Sequence, residues 1–290
     1  MRNRTSSIKR QRRSRAEVEH LRARAYALLE GDHPQTLRHL FYRLVSEGSI
    51  DKSEREYRAL SHQLTGMRRD GDLPFAWLAD NTRWRTRPTT HDSIEDALWA
   101  CAQAYRRALW TDLPHRVEVW CESDSIASTV ATVTVDLDVE LFVLRGFASV
   151  SSVHAAACEI RHRGLPTTIL HLGDHDPSGR CIARTVERDL REWCPDVAIS
   201  FETLAVTAAQ IAEYGLPTRP PKRTDSRAHG WDGGVVEVEA LPAADLRAML
   251  RERIEAFLPA GAVEALEATE SVERGTLYAI ARHNGGTADA

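Results

Sequence analysis

The 290-residue sequence lacks several features that would assign it to a common class of protein. Its five cysteines are odd in number and none forms a C-x-x-C pair, which argues against a disulfide framework and a structural zinc site. No apolar run approaches the ~20 residues needed to cross a bilayer, and the basic N-terminus has no apolar stretch typical of a secretory signal. The phosphate-binding patterns G-x-x-x-x-G-K-[ST] and G-x-G-x-x-G are also absent. We therefore expect a soluble protein of the reducing cytoplasm, with no membrane segment and no nucleotide-phosphate cradle.

The charge of the chain is unevenly distributed. The net charge is −4, yet residues 1–15 contain seven Lys or Arg residues and no acid. Such a segment is typical of a flexible basic arm that contacts phosphates, and the alternative is a solvated tail that aids solubility.

The segment after the arm has the pattern of a small helical domain. Apolar residues recur at helical spacing over residues 16–30, 35–47 and 53–69, and Ser53 with Glu56 forms a capping-box pattern at the start of the third stretch. An Asp-Gly turn and a short aromatic segment follow, over residues 70–84. Three short helices and a β-like wing are typical of a winged-helix DNA-binding domain. We place this domain at residues 16–114, with a linking helix over 93–109 and a boundary at Pro114.

The remainder of the chain, residues 115–290, alternates apolar strands with helices. The predicted strands are 117–121, 139–146, 167–173 and 197–206, and the predicted helices between them are 125–133, 150–163 and 178–193. A further strand over residues 235–241 (VVEVEAL) and a terminal helix from Asp245 complete the pattern. Alternation of this kind predicts an α/β domain with a mostly parallel sheet flanked by helices.

Three carboxylates follow two of the predicted strands. Glu122 comes directly after strand 117–121, and Asp174 and Asp176 lie in the segment GDHDPSG, residues 173–179. The carboxyl ends of parallel strands meet at one edge of a sheet, and residues i and i+2 of an extended segment point to the same side. Oxygen ligands without cysteine favour Mg²⁺, with Mn²⁺ as the alternative ion, and such an ion stabilises the attacking and leaving oxygens of a phosphodiester. The sequence therefore predicts a metal site formed by Glu122, Asp174 and Asp176.

Part of this pattern also has a purely structural explanation. Asp176 precedes Pro177, an arrangement typical of a helix N-cap followed by proline at the first helical position. The cap explains Asp176 but explains neither Asp174 nor Glu122. His171 and His175 lie on either side of a strand end, so we expect core or loop histidines there rather than a zinc pair.

The arrangement of these acids resembles a known domain. A strand ending in Glu, followed later by a strand ending in Asp-x-Asp before a helix start rich in small residues, is similar to the TOPRIM domain of topoisomerases, primases and some nucleases. The resemblance implies that Glu122 acts as a general acid or base and that Asp174 and Asp176 hold magnesium.

Tyr42 is the candidate nucleophile on the helix predicted over residues 35–47. One apolar stripe of that helix consists of Leu37, Leu40, Phe41 and Leu44. At about 100° per residue Tyr42 lies outside this stripe, one turn after Arg38, so we expect its phenol to be exposed and able to attack a phosphate. The alternative is a rim tyrosine that packs against a neighbour, and Tyr26 is a second candidate.

The combination of a winged helix bearing L-R-x-x-[YF]-Y with a TOPRIM domain resembles the A subunit of topoisomerase VI and its meiotic double-strand-break relatives, in a compact "mini-A" form. The motif stands at residues 37–42 (LRHLFY), with Phe41 where the family often has tyrosine, and residues 236–241 (VEVEAL) resemble a further family motif. The resemblance implies a homodimer in which each Tyr42 attacks one strand of double-stranded DNA and forms a 5′-phosphotyrosyl bond. Each Tyr42 would act together with the metal site of the other protomer. Strand passage in this family also needs a separate ATPase subunit.

Three functions follow from these observations. The first is a type IIB topoisomerase-like transesterase with Tyr42 and Glu122 as catalytic residues and Arg38 assisting. The second is a hydrolytic TOPRIM nuclease of the plasmid- or phage-defence type, in which Tyr42 is structural, and a buried Tyr42 would favour it. The third is a non-catalytic DNA-binding module. In each case the protein is expected at the nucleoid, and the expected DNA contacts are Arg10, Arg12, Arg13, Arg38 and Arg43.

Overall fold

The computed structural model describes residues 13–79, 88–146, 149–221, 226–229 and 231–285. The chain divides into two compact units, Met1–Ala79 and Asp80–Ala290. None of the described helices combines the length and the apolar character needed to cross a membrane.

The first unit is built on three helices. Its helices are α1 (Arg15–Gly31), α2 (Leu37–Ser46) and α3 (Glu54–Asp70). Each begins at a hydroxyl residue, Ser14, Thr36 or Ser53, whose side chain accepts a backbone N–H of the first turn. These helices confirm the three predicted from apolar spacing. Their buried side chains form one core, in which Leu29, Leu40, Leu44 and Leu60 are fully inaccessible.

The region predicted as a wing has little strand structure where the structure describes it. A 3₁₀ turn at Phe75–Trp77 leads into β2 (Leu78–Ala79), which pairs in parallel with β1 (Gln35–Thr36). The rest of the predicted wing, together with Arg10 and Arg12 of the basic arm, lies outside the described residues.

The second unit contains a parallel sheet of four strands. The strands are β3 (Arg116–Cys121), β4 (Glu140–Val143), β5 (Thr167–Leu172) and β6 (Ile199–Ala205). Their order is β4-β3-β5-β6, and every pairing is parallel. This confirms the α/β class and the parallel sheet predicted from alternating strands and helices.

Helices cover both faces of this sheet. The helices are α4 (Ile94–Ala104), α5 (Ala127–Asp136), α6 (Val150–Arg163), α7 (Pro177–Trp193), α8 (Ala208–Glu213), α9 (Ala243–Glu255) and α10 (Ala262–Gly285). Val119 and Leu170 point into a core shared with α5 and α9, whereas Trp120 and Ile169 point into a core shared with α6 and α7. The two-residue period of the strands thus gives each face of the sheet its own core.

Two predictions about this unit need correction. The division between the units lies at residues 79 and 80 rather than at Pro114, because α4 packs against α10, with the rings of Trp99 and Tyr278 4.7 Å apart. The segment 235–241 is not a strand of the sheet, since Val235 and Val236 form only isolated bridges and Val238–Ala240 is a 3₁₀ turn. The whole segment is buried, its two glutamates included, but it packs without joining the sheet.

Candidate active site

The predicted acids lie where the two central strands of the sheet end. β3 and β5 are neighbours at the centre of the sheet. The strand that follows β3 in the chain, β4, lies on the outer side of β3, and the strand that follows β5, β6, lies on the outer side of β5. This is a topological switch point, the position at which open α/β sheets form a crevice beyond the strand ends. Glu122 continues the pairing by one residue, because its backbone N–H donates to the carbonyl of Leu172 at 2.9 Å.

Glu122 and the loop after β5 approach each other closely. Glu122 Oε2 accepts a hydrogen bond from the backbone N–H of Asp174 at 3.2 Å. A Cβ atom on Gly173 would lie 2.9 Å from the same oxygen, and one on Gly179 would lie 3.1 Å from it and would overlap with the Asp174 carbonyl oxygen. The two glycines of GDHDPSG therefore leave the space that the Glu122 carboxylate occupies.

The surroundings of Glu122 favour its protonated form. The pKa of the Glu122 carboxyl is raised to about 8, mainly by burial and also by the nearby charges of Asp174, Asp176 and Glu239, whereas the hydrogen bond from the Asp174 amide lowers it. Glu122 is thus protonated at neutral pH unless a positive charge enters the site.

Asp174 and Asp176 are engaged with backbone amides. Asp174 Oδ1 accepts a hydrogen bond from the N–H of Val238 at 2.9 Å. Asp176 Oδ1 accepts one from Gly179 at 2.7 Å as the N-cap of α7, with Pro177 at the first helical position, which confirms the predicted cap. Within the ranges that the structure describes, no three His, Cys, Asp or Glu side chains are arranged to hold a metal ion. The predicted ligands share one loop cluster, but their carboxylates do not converge on a common point.

Glu239 is a fourth carboxylate of this cluster, which the sequence analysis missed. It lies on the 3₁₀ turn Val238–Ala240, is fully buried, and accepts hydrogen bonds from the hydroxyls of Ser123, at 3.0 Å, and Ser125. The VEVEAL pattern contained a signal for it, because an acid at every second position of a buried apolar segment must face other polar groups. Treating the segment as a sheet strand concealed that signal.

The two histidines near the acids are structural, as predicted. His171 is buried on β5, and burial lowers its pKa to about 4, so its ring is neutral at physiological pH. His175 pairs with Val236 through its backbone, and its ring packs on Trp231 with the ring centroids 5.1 Å apart.

The exposure predicted for Tyr42 is wrong. Only 7% of the residue is accessible, and its ring packs in the core of the first unit, against Phe41 at 5.4 Å between ring centroids. The apolar stripe does not define the buried surface of α2, because β1, α1 and α3 surround this helix and Lys52, from the loop after it, lies 4.6 Å from the Tyr42 ring centroid. Tyr26, the second candidate, is half-buried with its ring 5.2 Å from that of Trp77.

The arginines expected to contact DNA differ in their surroundings. Arg38 is exposed, and its guanidinium carbon lies 6.0 Å from the centroid of the Tyr42 ring. Arg43 is largely buried, donating to the carbonyl of Leu28 at 3.3 Å and lying 3.5 Å from the carboxylate of Asp32. Arg13 forms an ion pair with Glu56. Arg43 and Arg13 therefore connect parts of the first unit, and Arg38 is the one of the three that is exposed.

Comparison of the chain with models of known protein families finds no match, and comparison with curated proteins finds none either.

Proposed function

We propose that this protein cleaves the DNA backbone by hydrolysis, at a site of TOPRIM type that contains Glu122, Asp174 and Asp176. The observation that carries the proposal is the close approach of Glu122 to the Asp174 loop at the switch point of a parallel sheet, in space left by two glycines. A carboxyl group whose pKa is raised by burial and by neighbouring acids at such a position is typical of functional sites.

The chemistry of the donor set fits a magnesium ion. The polar side chains of the cluster offer carboxylate and hydroxyl oxygens, which are the donors that Mg²⁺ and Mn²⁺ prefer. Glu122, Asp174 and Asp176 would hold the ion, with Glu239 close behind them. The ion would supply positive charge that offsets the phosphodiester and the charge that develops on it.

Water is the nucleophile in this proposal because Tyr42 is buried. The water oxygen forms a new bond to phosphorus as the bond from phosphorus to the leaving oxygen breaks. Glu122, whose carboxylate is ionised once a cation offsets the neighbouring acids, would accept the proton of the attacking water, which is the role of a general base. The leaving oxygen takes a proton from solvent.

The resemblance to topoisomerase VI A subunits contributes further parts of the proposal. Double-stranded DNA is the substrate, and a homodimer would present one site to each strand. Hydrolysis requires no ATPase subunit, whereas strand passage by transesterification does. Activity of the purified chain alone, without ATP, is therefore expected.

The first test is cleavage of supercoiled plasmid with Mg²⁺ or with a chelator. Wild-type protein should nick or linearise the plasmid only with metal, and Asp174→Ala and Glu122→Gln should each lower the rate at least about a hundredfold, the usual scale for loss of a general acid or base and a lower bound for loss of a metal ligand. Asp196→Ala is the matched control, because Asp196 is exposed before β6, at the opposite edge of the sheet. Full activity of Asp174→Ala would contradict the proposal.

A second test separates hydrolysis from transesterification. Reactions stopped with denaturant should leave no protein covalently attached to DNA, and Tyr42→Phe should cleave at the wild-type rate. A 5′-linked adduct that disappears in Tyr42→Phe would show that Tyr42 reaches the phosphate after all.

A further inference from the structure

A groove lined by arginines borders the carboxylate cluster. It has a volume of about 580 Å³, and no Asp or Glu is among the described residues that line it. Its basic residues are Arg180, Arg184, Arg188, Arg227 and His229, all of them exposed. The remaining lining includes Pro177, Cys181, Thr185 and Trp231.

Three of these arginines form a row along α7. Arg180, Arg184 and Arg188 are four residues apart, so they lie on one face of the helix at steps of about 6 Å. The row therefore extends over about 12 Å, a length in which one strand of B-form DNA presents three or four phosphates. Arg188 also binds the carboxylate of Asp189 at 2.6 Å, whereas within the described chain no carboxylate pairs with Arg180 or Arg184.

The groove is continuous with the proposed cleavage site. Pro177 lines it and directly follows Asp176, the N-cap of α7. The ring of Trp231 links the two regions, because it packs against His175, between the two aspartates, and also lies 5.3 Å from the guanidinium of Arg180. This cation–π contact holds the first arginine of the row beside the acids.

The charges of the two regions complement each other. The carboxylates of Asp174, Asp176 and Glu239 repel a polyanion, so a phosphodiester reaches them only if nearby cations offset the repulsion. Guanidinium groups bind phosphate oxygens with two parallel hydrogen bonds, and they stay protonated at any physiological pH.

We propose that the groove formed by Arg180, Arg184, Arg188, Arg227 and Trp231 binds the sugar–phosphate backbone of the DNA strand that enters the carboxylate site. The assignment of DNA rests on the proposed function. The groove recognises phosphates and not base edges, so it contributes affinity without sequence preference.

The test is DNA binding in the presence of a chelator, so that no cleavage step enters the measurement. The affinity of the full-length protein for a fluorescent 30-base-pair duplex is measured by anisotropy from 50 to 200 mM KCl. The double variant Arg184→Ala/Arg188→Ala should bind about tenfold more weakly at 100 mM salt. The plot of log affinity against log salt should become less steep by about 1.8, because each lost phosphate contact reduces the magnitude of the slope by about 0.9.

The matched control removes the same charge elsewhere. Arg161 and Arg191 are exposed in the last turns of α6 and α7, at the opposite edge of the sheet. Arg161→Ala/Arg191→Ala should bind DNA with nearly the wild-type affinity and salt slope. Equal weakening in the two double variants, or wild-type binding by Arg184→Ala/Arg188→Ala, would overturn the assignment. Competition by poly-glutamate as strong as by unlabelled duplex would also overturn it, in favour of an acidic protein partner.

The groove and the cleavage proposal fail in different ways. If the wild-type protein cleaves plasmid and Arg184→Ala/Arg188→Ala binds DNA normally, the assignment of the groove is refuted and the cleavage proposal stands. If no metal-dependent cleavage occurs but DNA binding depends on Arg184 and Arg188, the cleavage proposal is refuted and the groove still binds DNA.

Discussion

The Glu122 carboxyl destabilises the folded protein when no metal is bound. Its pKa is about 8 in the folded chain and 4.5 in a model carboxyl. Below about pH 4.5 it is protonated in both states, but between pH 4.5 and 8 only the unfolded state gives up the proton, so stability falls as pH rises through this window. Glu122→Gln removes this dependence and should stabilise the protein by on the order of 3 kcal/mol at pH 7 in chelator.

Urea unfolding at pH 5, 6, 7 and 8 checks this expectation. The advantage of Glu122→Gln over wild type should grow with pH up to about 8 and should shrink when Mg²⁺ is added, because an ion that binds the folded state stabilises wild type by mass action. A difference that is constant across this pH range would show that Glu122 titrates normally.

The sequence predicted that Glu122, Asp174 and Asp176 lie close together because their signal is local. An acid directly after a buried strand is visible in a single stretch of chain, and parallel strands bring such positions together. The burial of Tyr42 depends on which elements surround α2, and the place of Glu239 depends on a turn that folds back over Ser123. Neither contact is encoded in the spacing of neighbouring residues, so sequence reasoning missed both.

The junction between β5 and α7 depends on the absence of a side chain at Gly179. Gly179→Ala places a Cβ against the carbonyl oxygen of Asp174, which is backbone and cannot turn aside. The loop must shift, and we expect a loss of about 2 kcal/mol of stability, the usual scale of overpacking, together with weaker stabilisation by Mg²⁺.

Gly275→Ala is the matched control for this substitution. Gly275 is exposed within α10, and a Cβ there meets nothing within 4 Å in the described structure. Alanine should stabilise this helix by up to about 1 kcal/mol. Urea unfolding of both variants measures the two effects, and a stabilising Gly179→Ala would disprove the close-packed junction.

Most helices and strands could be predicted because their patterns are short-range. The strands of the sheet carry buried apolar runs, and α1, α2 and α3 begin at hydroxyl caps that are visible in the sequence. Residues 235–241 show where this reasoning ends. The apolar run there predicts a strand, but strand pairing also requires a free sheet edge at the right place, which is a property of the whole fold.

The extent of the second unit is set by a contact between distant parts of the chain. Pro114 is a local signal, whereas Tyr105 donates a hydrogen bond to Glu273, 168 residues away, at 2.7 Å. Arg107 also pairs with Glu273 at 2.6 Å, and Trp99 packs on Tyr278. The helix predicted as a linker between two domains is therefore part of the second.

This contact predicts how fragments of the chain will behave. Residues 80–290 retain α4 and should unfold cooperatively as a folded unit. Residues 115–290 lack α4, expose the Tyr278 face of α10 and leave Glu270, which is 6% exposed, without the 3.1 Å ion pair to Arg106. Loss of a packed helix and of partners for a buried carboxylate costs several kcal/mol, so the shorter fragment should melt at least about 5 °C lower by calorimetry. Equal melting temperatures of the two fragments would place the boundary at Pro114 after all, with α4 as a linker that contributes nothing to the stability of the sheet domain.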